Sequence, residues 1–222
     1  MSNSPIVIVG SSGHAKVVID IINKLNCYEL VGLIDPFREV GENVLSVSIL
    51  GSEDVLTDLC AKYPNLKIFV AIGDNFVRKT VAERISINFN NIEFVSIIHP
   101  SVQIGENVQI GKGVVIMPGV SINSDTNIDD FVIINTNSSI DHDCHLGKFC
   151  SIAPGVTLGG DCKIGVLSAV SIGTTIIHRI KIGSNVVIGA ASLILNDCPD
   201  DSLIYGSPAR YIRSRSIGDK YL

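Results

Sequence analysis

The sequence has no tryptophan and only 7 phenylalanines and 5 tyrosines in 222 residues, so large rings make up 5% of it. It has no excess of basic charge. Its 17 Lys and Arg stand against 22 Asp and Glu, a formal charge of −5, which has the wrong sign for nonspecific binding to a nucleic-acid backbone. Its six cysteines (Cys27, Cys60, Cys144, Cys150, Cys162 and Cys198) include no CxxC pair, which argues against both a zinc site and a disulfide framework. Long apolar runs are missing too: stretches without charge, such as Ile182 to Asn196, are broken by Gly, Ser and Asn, whereas a membrane span needs roughly 20 apolar residues. The opening MSNSPIVIVG has no basic segment and runs straight into a strand pattern. A structural start in a cytoplasmic chain is therefore expected, not a signal peptide.

Against these absences stand 46% hydrophobic residues, a mean hydropathy of +0.40 and 34 isoleucines. Thin β-branched side chains are favoured over rings, and a six-residue period accounts for them. Stepping by six from Ile98 through Ile104, Ile110, Ile116 and onward to Ile194 meets seventeen positions, all Ile, Leu or Val. Random placement would give this on the order of once in a hundred million, if a third of residues were of these types. Two residues before these positions stand small or β-branched residues such as Val102, Thr126, Ser138, Cys144, Cys150 and Cys162. Glycine often follows the aliphatic, as at Gly105, Gly111, Gly147, Gly159, Gly165 and Gly183. The pattern predicts a solenoid of short strands, three hexads and about 18 residues per coil, with glycine easing the corners and the small residues filling a narrow interior. Cys144, Cys150 and Cys162 then act as compact interior hydrophobes.

Residues 5 to 97 follow a different rhythm. Strands are expected at 5–10, 30–35, 67–73 and 93–97, with helices after His14, over 53–63 and over 75–86, a βαβαβ pattern that implies a parallel sheet with ligands at its C-terminal strand ends. The turn Gly10-Ser11-Ser12-Gly13-His14 departs from the dinucleotide GxGxxG, yet a helix opening after such a turn presents N–H groups to a phosphate. Asp35 ends the second strand, and Gly73-Asp74-Asn75 with Arg78 forms a third polar turn on the same rim. Two domains follow: residues 1–97, Rossmann-like, and residues 98–222, an all-β solenoid. The densest polar cluster of the second domain lies at residues 135–155. There His142 stands between Asp141 and Asp143 and projects outward two places after inward Ile140. A histidine between acids can be a solvated charge pair or a general base whose tautomer a carboxylate fixes. His145 is expected on the surface, and His178 shares the phase of His142 two coils away.

The tandem [Ile/Leu/Val]-Gly-x-x-[small]-x resembles the hexapeptide-repeat acyltransferases, which implies a left-handed parallel β-helix, a homotrimer, and acetyl-CoA bound between adjacent subunits. GSSGHAKVV, LIDP, AIGDN and Arg78, followed by this repeat, resemble the sugar acetyltransferases of the sialic-acid O-acetyltransferase family over essentially the whole chain. The strongest resemblance is to the UDP-4-amino-sugar N-acetyltransferases of the bacillosamine pathway. It implies that the N-terminal domain holds a nucleotide-linked amino sugar through Ser12, Gly13, His14, Asp35, Pro36, Gly73 and Asn75, with Asn135 at the sugar. Where this family commonly has a second acid after the aspartate, this chain has Pro36. The resemblance further implies direct attack of a C4 amine on acetyl-CoA. His142 would be the general base, Asp143 the favoured orienting acid with Asp141 as fallback, and the Gly160 N–H would meet the oxyanion. Ser151 stands where many relatives carry a histidine at the thioester, Ile172, Gly173, Gly189 and Ala190 match the pantetheine cleft, and Pro208 and Arg210 match the segment closing over the CoA adenine. The same motif would serve O-acetylation of a sialic-acid-like or polysaccharide hydroxyl. A metal-dependent hydratase and a noncatalytic scaffold are the other readings of this fold, and no metal, nucleic acid or membrane partner is expected.

Overall fold

The computed structural model describes residues 3–89 and 91–221, so the outer domain limits Met1 and Leu222 lie outside the described residues. The chain divides into two compact units, one running to Gly73 and resuming over Val77–Ile97, the other comprising Asp74–Phe76 and everything from Ile98.

In the first unit, β1 (Ser4–Val9), α1 (Gly13–Leu25), β2 (Tyr28–Ile34), β3 (Asn43–Val44), β4 (Val47–Gly51), α2 (Leu56–Lys62), β5 (Lys67–Val70), α3 (Asn75–Asn88) and β6 (Glu93–Phe94) follow in order. The sheet runs β3-β4-β2-β1-β5-β6, parallel except for the β3–β4 hairpin. The strand run is continuous and apolar at β1 because this strand is central: Ile6 to Val9 are buried between β2 and β5. In α1 the apolar stripe buries Val18, Ile21 and Ile22 but leaves Val17 39% exposed. The β3–β4 hairpin has no counterpart in the sequence expectation. The expected 67–73 strand stops at Val70, and the expected 53–63 helix opens as a short 3-10 turn over Glu53–Val55. The order reverses at β1, so the crevice outside the C-terminal ends of β1 and β5 is the topological switch point.

The second unit is a left-handed parallel β-helix. Two-residue strands stack in three sheets, each pairing in parallel with the strand 18 residues on: Ile133 with Ser151, Ser139 with Thr157, His145 with Lys163. The stepping aliphatics fill the interior, and from Ile116 to Ile194 all are buried. Ile104, 44% exposed, departs from that rule because the first coil has a neighbouring coil on one side only. Ser202–Gly206 adds to the first sheet beside Val187–Ile188 and turns back as an antiparallel hairpin with Ala209–Ser214.

Two details differ from the sequence expectation and bear on the site. The glycines after the aliphatics do not bend the chain: every sixth residue from Asn107 to Ala191 takes positive φ, and these lie three places after the aliphatic. Asn, Asp and Gly fill most of those corners because they tolerate the left-handed region, and Gly173 belongs to this series. Glycines such as Gly105 and Gly159 are instead needed for close approach, since a Cβ there would lie 2.6 Å from the Ser124 or His178 backbone nitrogen of the next coil. The small interior residues also do more than fill space. Thr126 and Ser138 hydroxyls donate to the corner carbonyls of Asp141 and Ala153, and the Cys144 and Cys162 thiols donate likewise to Gly159 and Ile177. Each supplies a partly buried corner carbonyl with a hydrogen-bond donor.

Candidate active site

The three sheets leave three edges, and most candidate residues of the second unit fall on two of them. Between the sheet holding Ser139–Ile140 and that holding His145–Leu146 lies the edge made by 141–144, 159–162 and 177–180. His142 projects here, 60% exposed, and its Nδ1 lies 2.7 Å from Asp143 Oδ2. Asp143 occupies the left-handed corner at φ +58°. Asp141 is engaged differently: its Oδ1 accepts the His142 backbone N–H at 2.9 Å and the Asn123 amide at 2.8 Å. Of the two flanking acids, Asp143 thus holds the ring and Asp141 holds the backbone that carries it. The hydrogen bond to Asp143, and then the charge of Asp141, raise the His142 pKa above the ordinary imidazole value.

Gly160 stands one coil on from His142, and its missing side chain makes room for the ring. A Cβ there would lie 2.6 Å from both Cε1 and Nε2. The Gly160 carbonyl accepts the Arg179 N–H, while the Gly160 N–H carries no hydrogen bond to the described chain. A free backbone donor therefore sits beside the imidazole, as an oxyanion requires. Asp141, His142, Asp143, Gly159, Gly160, Asp161, His178 and Arg179 line one groove of about 600 Å³. His178, two coils from His142, lines the same groove because Gly160 leaves the intervening coil bare. Asp161 and Arg179 were missed altogether, although the 18-residue phase of Asp143 points to both.

A second edge, made by 135–138, 153–156, 171–174 and 189–192, carries Asn135, Ile172, Gly173, Gly189 and Ala190. Ile172 is 61% exposed, and the space in front of Gly173 is open. The Asn135 amide donates to the Ile152 carbonyl at 3.0 Å, and Tyr205 packs over Gly189. Ser151 faces outward on the adjoining sheet, half-buried between Ile133 and Ala169. Pro208 and Arg210 are exposed at the turn and second strand of the C-terminal hairpin. A full face of the solenoid separates the two edges, so one copy of the chain does not bring His142 to Gly173.

In the first unit, Gly10 ends β1 at φ +101°, with room for no Cβ: the Ala71 carbonyl would lie 2.8 Å away. Ser12 precedes α1 without capping it through its side chain, and the space in front of Gly13 is open. The first-turn N–H groups of this helix are therefore presented without a side-chain cap. His14 follows, largely buried, its Nε2 without a hydrogen-bond partner, and its pKa is lowered to about 4 by burial and by the charge of Arg78. Asp35 accepts the Ser11 hydroxyl on one oxygen and the Phe37 N–H, at 2.9 Å, on the other, so it fastens two rim loops together. Pro36 is exposed beside it, and Phe37 is 94% exposed.

The third rim turn departs from expectation. Arg78 is buried, and its guanidinium donates to the carbonyls of Ile72 and Gly73. Asn75 is buried as well. Its amide donates to the Leu167 and Ser168 carbonyls at 3.2 and 3.1 Å, and its backbone N–H to the Tyr221 hydroxyl, so this side chain is engaged with the protein's own backbone. Among the described residues no group of three or more His, Cys, Asp or Glu is placed to hold a metal ion, and no helix is long and apolar enough to cross a membrane.

A hexapeptide β-helix with a carboxylate-held histidine beside a bare backbone N–H, joined to a parallel nucleotide-type sheet, defines an acyltransferase-type chain, and comparison with known proteins agrees. Residues 5–85 match the PglD N-terminal domain, and residues 101–136 match the bacterial transferase hexapeptide (six repeats). The chain is 33% identical to perosamine N-acetyltransferase from Caulobacter crescentus, whose structure with CoA and GDP-perosamine superposes with a TM-score of 0.88 over 96% of this chain and 99% of that one. The acetyltransferase domain of PglB from Neisseria gonorrhoeae FA1090, in complex with acetyl coenzyme A, is 30% identical and matches with a TM-score of 0.88 over 95% of this chain and 100% of that one. A UDP-N-acetylbacillosamine N-acetyltransferase from Bacillus subtilis (strain 168) is 32% identical over 112 residues, 50% of each protein. The match thus spans half the length of that curated relative, and 20% of the other, an uncharacterized mimivirus protein. The chain belongs to this family of CoA-dependent amino-sugar N-acetyltransferases.

Proposed function

We propose that this protein transfers the acetyl group of acetyl-CoA to the C4 amine of a nucleotide-linked 4-amino-6-deoxy sugar. The observation that carries the reading is the His142 ring held at Nδ1 by Asp143, lying over Gly160 with its Nε2 toward the groove and the Gly160 N–H uncommitted. With Nδ1–H donated to Asp143, Nε2 is the basic nitrogen. The neutral amine attacks the thioester carbonyl while its N–H proton passes to Nε2. The tetrahedral oxyanion accepts from the Gly160 N–H. On collapse the C–S bond breaks, the CoA thiolate takes the proton from Nε2, and the amide remains on the sugar. No acyl-enzyme is needed.

The N-terminal rim supports the nucleotide half of the reading. Open space at Gly13, the α1 N-terminus and the unpartnered His14 Nε2 suit a diphosphate and sugar, with Asp35 and Pro36 bordering the base, and the Caulobacter crescentus perosamine N-acetyltransferase binds GDP-perosamine. The two solenoid edges support a homotrimer: the pantetheine cleft of Ile172, Gly173, Gly189 and Ala190 on one copy would face the His142 groove of the next, with Ser151 near the thioester and Pro208 and Arg210 near the adenine.

Thiol release from acetyl-CoA, followed with UDP-, GDP- and TDP-linked 4-amino sugars beside free sialic acid, tests the function. Turnover is expected with at least one amino sugar, and His142→Asn should lower it by at least a hundredfold. Acetylation of a hydroxyl acceptor alone would overturn the N-acetyl reading, and an active His142→Asn would overturn the base.

A further inference from the structure

The groove beyond Gly160 carries charge that the acetyl-transfer step does not use. Three carboxylates, Asp141, Asp143 and Asp161, surround His142, while His178 and Arg179 stand one coil further along the solenoid. Strands in adjacent coils lie about 4.8 Å apart, so His178 and Arg179 are set roughly 10 Å from His142 along the axis. Arg179 occupies a left-handed corner, φ +59°, in a series otherwise filled by Gly, Asn, Asp, Ala or buried Phe and Leu. An Arg at such a corner costs backbone energy that Asn or Gly would spare. Asp161 occupies the same corner one coil before it, yet the Arg179 guanidinium makes no ion pair or hydrogen bond with that carboxylate or with any other described residue. His178 is exposed beside it, and the bare floor of Gly159 and Gly160 keeps the approach open.

We propose that Arg179, with His178 beside it, holds a phosphate group of one of the two substrates. It thereby sets how far into the groove that substrate reaches. The inference rests on the acetyl-transfer reading for the identity of the ligands, both of which are phosphate esters: CoA and a nucleoside diphosphate sugar. The acids around His142 repel a phosphate from the base, and the guanidinium beyond Gly160 receives it, so the polarity of the groove fixes one orientation. The planar fork of Arg suits a phosphate better than the point charge of Lys.

Binding measured by calorimetry, without turnover, separates this proposal from the one it rests on. CoA, phosphate-free pantetheine, UDP and GDP are titrated into the full-length protein and into Arg179→Asn, a residue that the corner series shows to be compatible with this conformation. His178→Gln provides a second variant, and thermal unfolding checks that both remain folded. Arg179→Asn should weaken one ligand class by about ten- to a hundredfold, as loss of a charged hydrogen bond does. Weakened CoA with unchanged pantetheine and nucleotides assigns the phosphate to CoA; weakened UDP or GDP with unchanged CoA assigns it to the nucleotide sugar. Unchanged affinity for all four ligands in folded Arg179→Asn overturns the proposal, whereas failure of the acetyl-transfer reading would show as absent turnover in the unaltered protein.

Discussion

Replacing Gly160 by alanine isolates the role of the bare corner beneath the imidazole. Gly160 is outside the positive-φ series, so alanine is torsionally acceptable there and the perturbation is steric. Its Cβ would lie 2.6 Å from His142 Cε1 and Nε2 and 3.2 Å from Cδ2. Carbon contacts settle at about 3.5–4.0 Å, so the ring must withdraw by about 1 Å. The ring can move because it is 60% exposed, and it moves at the expense of its 2.7 Å contact with Asp143. Folding stability should therefore change by less than about 0.5 kcal/mol, as for a surface position. A displacement of about 1 Å at a reacting group costs on the order of a hundredfold in rate, so kcat should fall by about that factor. KM for acetyl-CoA should change less, because the floor remains open. Steady-state thiol release together with thermal unfolding reads both quantities. A kcat within threefold of the unaltered protein would refute the placement of His142 over Gly160 as the working geometry.

Three further outcomes rest on the site and the solenoid packing. Asp143 is the first cause of the raised His142 pKa, and removing its charge makes the imidazolium less stable, so the acid limb of kcat/KM should move to lower pH in Asp143→Asn. A profile over about pH 5 to 9 with an unmoved limb would remove Asp143 from that role. Gly165→Ala should destabilise the solenoid by about 1–3 kcal/mol in urea, since its Cβ would press on the Gly183 and Ser184 backbone of the next coil, which has no rotamer to yield. Gly173→Ala, with open space but φ +67°, should cost about 1–2 kcal/mol through torsion alone, and a Gly165 variant clearly milder than it would contradict the close-packing argument.

The solenoid was legible because its signal is periodic: one aliphatic every six residues has few structural solutions, and the 18-residue stacking of Ile134 on Ile152 is the one adopted. The β3–β4 hairpin was not, since strands of 2 and 5 residues give no alternation to detect. His142 stood out by its flanking acids, yet Asp141 and Asp143 are chemically alike, and only the corner torsion decides which one meets the ring. Asn75 and Arg78 have the composition of a binding rim. Their actual partners are backbone carbonyls, and a polar residue satisfying a buried carbonyl leaves the same trace in sequence as one facing a ligand. The glycines misled in another way, because close approach and left-handed torsion both select glycine, two places apart within each hexad.

The 18-residue coil makes position on an edge a matter of remainder. His142, Gly160 and His178 share one remainder on division by 18, and Gly173 and Ala191 share another. Inserting one hexad between Gly160 and Ile172 would therefore rotate everything after it by a third of a turn, carrying Gly173 from its own edge onto the one that holds His142 while every interior aliphatic still found its place. Removing or adding a whole coil would leave every edge in line and change only the distance along the axis. Length variation in such a protein is tolerated by the core in units of six and by the groove only in units of eighteen.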